Sequence, residues 1–168
     1  MNLSLFYSYH VHNIITTVAL ELLRQKRSIF AASSKFSHYQ NGDKAQRDFS
    51  SRAIEERSKF ERESINKYGG VDYSQNIVNS RTLQGDLSYS PKATAAVVTI
   101  IVAIDGDSTK LPIINSAADL DKALMKIATD VKVDNCLRSA EVLWTPEDID
   151  DTLSQREVIV DYPELRNI

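Results

Sequence analysis

Apolar residues recur at helical spacing near the start of the chain. Val11, Ile15, Val18 and Leu22 fall on one stripe, and Ile14 and Leu23 widen it. Arg24, Lys26 and Arg27 follow in the later turns, where cations suit the negative end of a helix dipole. The pattern predicts a helix that continues through IFAASSKF to about Phe36. HYQNGDK, with its Asn41-Gly42 pair, then stops and turns the chain. A second helix is predicted from about Asp43 to Lys67. Phe49, Ala53, Phe60 and Ile65 form an apolar stripe between its charges, and Gly69-Gly70 ends it. Residues 1–10, which include Phe6, Tyr7 and Tyr9, show no such stripe and read as an irregular aromatic lead-in that packs on something.

The pattern changes after Gly70. Residues 71–95 are polar, punctuated by Gly85 and Pro91, and read mainly as a long connection. A connection of this length inside a domain is unusual without a task, which makes it a candidate contact segment. Val97–Ile104 (VVTIIVAI) is apolar on both faces and rich in β-branched residues, as a central strand covered on both sides should be. Asp105-Gly106-Asp107 stops it. Ser116-Ala-Ala-Asp119 then resembles a capping box with Asp in place of Glu, opening a helix with Leu120, Leu124 and Ile127 inward. Residues 137–144 form the next strand, which completes a βαβ-type unit. The predicted class is α+β. A helical arm of two helices (1–68) and an extended connection (69–95) precede a small α/β sheet domain (96–168).

Composition narrows the function classes. The chain has 168 residues, 42% apolar and 26% charged, ordinary values for a soluble globular protein with a real core. Cys136 is the only cysteine, so an intrachain disulfide and any multi-cysteine zinc or iron–sulfur site are excluded. Residues 1–68 carry 11 Lys/Arg and 7 Asp/Glu, a net +4, while residues 69–168 carry 9 and 16, a net −7. The acidic half argues against nucleic acid as a partner, because phosphate binding needs a basic surface. The weakly basic half suits an acidic protein face or peripheral contact with a membrane surface. The first 20 residues carry no Lys, Arg, Asp or Glu, but two Asn, two Ser, two Thr and two His make them too polar for a membrane span. They also lack the positive start of a signal peptide and the arginines of a transit peptide.

The most suggestive chemistry lies in LWTPEDIDDTLSQREVIVDYPEL, from Leu143 to Leu165. Glu147, Asp148, Asp150 and Asp151 follow the single tryptophan, Trp144. Thr145, Pro146 and the early acids suit the start of a helix. Ser154-Gln-Arg-Glu157 fits a second capping box. On this reading every acid has a structural role. A divalent cation held by Asp148, Asp150 and Asp151 is the competing reading, although the spacing matches no EF-hand loop. Asp105–Lys110 hints at a phosphate loop but lacks the glycine frame of a P-loop. His10 and His12 could ligate a metal together, but no third ligand is evident. Cys136 has no histidine near it in sequence and reads as a small buried residue. No dinucleotide fingerprint and no Ser/His/Asp order emerges, and five glycines leave little room for a Gly-rich cradle. The expectation is a protein that is not an enzyme, with no cofactor and no resident metal.

Several of these segments also carry a family likeness. VTIIVAIDG, LPIINSAADLDKAL and EVLWTPEDIDDTLSQREVIVDYPEL stand in order at Val98–Gly106, Leu111–Leu124 and Glu141–Leu165. With LELLRQKRSIFAASS and EERSKF upstream, the chain resembles a cyanobacterial and plastid family of unknown function that includes the plant fluctuating-light acclimation protein. The likeness covers roughly residues 16–68 and 95–168, and the final segment is the most specific. The resemblance implies a thylakoid- or envelope-associated regulator of photosynthesis, with no known reaction and no catalytic residues to carry over. Typical relatives have a membrane-spanning or Gly-rich segment upstream, which residues 1–20 do not match. The expected function is therefore a non-enzymatic subunit or regulator bound to a membrane-embedded photosynthetic complex, a photosystem or antenna, in a plastid or cyanobacterium. It would act at the thylakoid or its stromal face. The expected contact residues are Phe6, Tyr7, Tyr9, Arg24, Arg27, Tyr73, Tyr89 and Trp144. A soluble small-ligand or divalent-ion sensor, with its site at Asp105–Lys110 and the acidic segment, is the rival.

Overall fold

The computed structural model describes residues 3–67, 95–106, 110–133, 136–146 and 152–168, with only the backbone of 3–10 and 60–67. Helix α1 spans Leu3–Arg24, and a 3-10 turn follows at Lys26–Ser28. A two-residue strand β1 (Ala31–Ala32) leads to the long helix α2 (Gly42–Lys67). Strand β2 (Val97–Ile104), helix α3 (Ala117–Asp130) and strand β3 (Leu137–Thr145) come next. The short helix α4 (Gln155–Asp161) and strand β4 (Arg166–Asn167) close the chain.

The starts of α2, α3 and α4 each have a local cause. The Asn41 side chain accepts from the backbone N–H groups of Asp43 (2.8 Å) and Lys44 (3.2 Å), so the predicted turn is also the cap of α2. Ser116 caps α3 by accepting from the Asp119 N–H, and the Asp119 carboxylate takes the Ser116 hydroxyl at 2.8 Å. Ser154 and Glu157 form the full capping box at α4. After β2 the chain turns at Gly106, whose φ of 131° suits a residue without a Cβ. The Thr145–Pro146 bond at the end of β3 is cis.

β2 and β3 pair antiparallel from Val97↔Thr145 to Ile104↔Leu137, with a bulge between Ala103 and Ile104. Strand, helix and strand follow in the expected order, but β3 runs back along β2, so the unit is a long helix-bridged hairpin and not a parallel βαβ. The alternation of side chains then divides the hairpin into two faces. Ile100, Val102, Ala140 and Val142 pack into a core built by Ile15 and Ala19 of α1 and Leu120, Ala123, Leu124, Ile127 and Ala128 of α3. Ser139 and Glu141, on the other face, meet Gln46 and Arg57 of α2. β2 is thus covered on both faces, as its composition predicts, but among the described residues it pairs with β3 alone.

A smaller core gathers Val97, Leu153, Val158 and Tyr162 at the start of β2, with Phe30 and Leu165 against it. Leu153 reaches it through a bridge to Ala95, whose N–H donates to the Leu153 carbonyl at 2.7 Å. β1 pairs with β4 through Ala31↔Asn167 and Ala32↔Arg166, and this tethers the last residues beside the exit of α1.

Two local expectations need correction. Residues 3–10 are helical, not an irregular lead-in: the backbone of α1 begins at Leu3. The first helix ends at Arg24 and does not run to Phe36, because Phe30–Ala32 is drawn into pairing with the C-terminal strand.

Candidate functional site

An open groove of about 1570 Å³ runs along β2, bounded by the segment after α1, by α2 and by the C-terminal turn. It is larger than the roughly 300–1,000 Å³ typical of a small-molecule pocket. Residues from both faces of β2 line it, together with Phe36, Tyr39, Phe49 and Leu165. An apolar floor is thus rimmed by charged and aromatic side chains.

Its charges are largely matched with one another. The Lys59 ammonium lies 3.0 Å from Glu56 and 2.7 Å from Glu164, and 4.6 Å above the centre of the buried Tyr162 ring. Burial pushes the Lys59 pKa down, but the hydrogen bonds to Glu164 and Glu56 outweigh it and hold the group above an ordinary lysine. The Tyr39 hydroxyl donates to Asp48 at 2.6 Å, and this hydrogen bond is the main reason its pKa is raised. Arg138 Nε donates to Asp105 at 2.6 Å, and the guanidinium holds that carboxyl below the usual range. Asp105, one end of the sequence-level phosphate-loop hint, is therefore engaged by Arg138; residues 107–109 lie outside the described residues. Among the described residues no group of three or more His, Cys, Asp or Glu side chains could hold a metal ion. Asp148, Asp150 and Asp151, the competing metal reading, lie outside them.

The sequence-derived contact residues are scattered. Arg24 is exposed at the end of α1 and pairs with Glu21 at 3.2 Å. Arg27 is exposed in the 3-10 turn, beside Lys26, which reaches Asp121 of α3 at 2.6 Å. Trp144 is 55% exposed near the end of β3, where its cross-strand neighbour is Val98, itself 38% exposed. These two side chains extend the α1/α3 face of the hairpin and form an apolar step open to solvent. Phe6, Tyr7 and Tyr9 sit on the first turns of α1, but their side chains lie outside the described residues, as do Tyr73 and Tyr89. The Lys59–Glu164–Tyr162 cluster was not foreseen. Its one sequence signal is a lysine among acids on a long charged helix, and DYPEL supplies the other half from the far end of the chain.

The structure defines an α+β protein in which a helix-flanked hairpin carries a groove with several paired charges and an exposed tryptophan step. The chain belongs to the family described as "Protein of unknown function (DUF1517)", which matches residues 8–168. Among its relatives, FLUCTUATING-LIGHT-ACCLIMATION protein 1, chloroplastic, of Arabidopsis thaliana is 34% identical over 158 residues, 91% of this chain and 37% of the relative. Protein FLAP1 homolog A of Synechocystis sp. (strain ATCC 27184 / PCC 6803 / Kazusa) is 33% identical over 128 residues, 73% of this chain and 36% of the relative. The chain thus spans little more than a third of the length of these relatives. No solved structure matches it. Among the described residues no helix is long and apolar enough to cross a membrane.

Proposed function

We propose that this chain is a non-enzymatic factor in acclimation to changing light, in a plastid or cyanobacterium, and that it acts by contact with a membrane-embedded photosynthetic complex. The observation that carries the reading is the 34% identity across 91% of the chain to a relative named for fluctuating-light acclimation. The word "chloroplastic" in that name supports the plastid setting. The site chemistry is in keeping with contact and not catalysis, because the groove charges described above are engaged with one another. Trp144 and Val98 supply the kind of exposed aromatic and aliphatic pair that anchors interfaces. The partner surface lies at the thylakoid or its stromal face.

The test is mild solubilisation of thylakoids followed by native electrophoresis, probing for this chain. Co-migration with a photosystem or antenna is expected for the natural protein, and its loss is expected for Trp144→Ala. Migration of the natural protein as a free monomer throughout would sink the proposal.

A further inference from the structure

We infer that α2 is a hinged cover over one face of the hairpin, held down by charge contacts that ionic strength can loosen. This inference concerns the fold's own mechanics and does not depend on the light-acclimation reading. Thirteen of the 26 residues of α2 are Lys, Arg, Asp or Glu, whereas α1 has only Glu21 and Arg24 among its 22. Ala53 is the one fully buried apolar side chain of α2 among the described residues.

What ties α2 to the rest is polar. Arg57 Nε donates to Glu141 of β3 at 2.7 Å, Gln46 accepts from the Ser139 hydroxyl at 2.9 Å, and Lys59 bonds Glu164 at 2.7 Å while lying over Tyr162. These anchors span the helix from its second turn to its fifth, so they act together as a latch. Each ion pair has one wet partner: the Arg57 side chain is 60% exposed and that of Glu164 45%, against 17% for Glu141 and 11% for Lys59. Pairs of this kind are weak singly and are screened by salt. Beneath the cover, Thr99, Ile101 and Ala103 line the groove and are only half-buried, so the seal is incomplete even when α2 is seated. Release of the latch would bare this face while the α1/α3 core, built from apolar contacts, stays intact.

Hydrogen–deuterium exchange of the full chain tests this. Between roughly 0.01 M and 1 M NaCl the Debye length falls from about 30 Å to about 3 Å. Amides of residues 42–59 should then exchange about tenfold faster, as expected from two loosened ion pairs, while those of α1 and α3 change by less than about twofold. The double variant Lys59→Met/Glu141→Gln should exchange fast in α2 at both salt levels, with α1 and α3 still protected. Salt-independent exchange of α2, or acceleration of α1, α2 and α3 by one common factor, would overturn the proposal.

Discussion

Helices α1 and α2 cover opposite faces of one hairpin by different means. α1 inserts Ile15, at 2% exposure, and Ala19, at 0%, into a core shared with α3. α2 offers Ala53 at 5% and otherwise rests on half-buried side chains and ion pairs. Fully burying an isoleucine side chain contributes about 1.5–3 kcal/mol, whereas an exposed ion pair contributes roughly 0.2–1. One hairpin can therefore carry a firmly packed face and a loosely attached one. The difference is written in the helices' charge content and not in their length.

The sharpest way to break the comparison is to cut the α1 side. Ile15→Ala should destabilise the protein by about 3 kcal/mol in urea titration, because it empties a site packed by α3. Phe49→Ala on α2 removes a larger but only half-buried side chain and should cost about 1 kcal/mol. An equal cost for the two would show that both faces are packed alike.

A local device should give a similar, position-independent loss. Ser154→Ala removes one arm of the α4 capping box, which should lower stability by about 1 kcal/mol, visible as a lower thermal midpoint.

Alkaline pH should act on the α2 side through Lys59. Folding raises the Lys59 pKa above the ordinary lysine value of 10.5, so its ionic contribution is fully present below that value. It is lost as pH rises through the folded pKa. A pH series of stability should therefore show a weakening above 10.5 that Lys59→Met reduces.

The smallest effect belongs to Trp144→Ala, which should change stability by within about 0.5 kcal/mol because the side chain is mostly in solvent. A large loss would mean that the residue packs in the fold and is not kept for contact.

Much of the fold was legible where local chemistry decides it. α2 was bounded to within a residue by Asn41-Gly42 and Lys67, since a side-chain cap and a glycine pair are local signals. α3 and its inward Leu120, Leu124 and Ile127 followed from the capping serine and a clean stripe. The misses were tertiary choices. Phe30–Ala32 fits a helical run equally well until Arg166 and Asn167 arrive to pair with Ala32 and Ala31. The antiparallel return of β3 depends on where residues 105–116 carry the chain before α3 begins, and no residue type fixes that. The site was less legible for the same reason. Lys59 and Glu164 lie 105 positions apart, so their meeting is a property of the fold.

The exposed step at the end of β3 has a practical corollary. The chain contains a single tryptophan, so all indole emission comes from position 144. With that ring 55% exposed, its fluorescence should be red-shifted and readily quenched by iodide in the free protein. Anything that seats on this end of the hairpin would move the emission to shorter wavelength, giving an intrinsic optical signal of docking without a label.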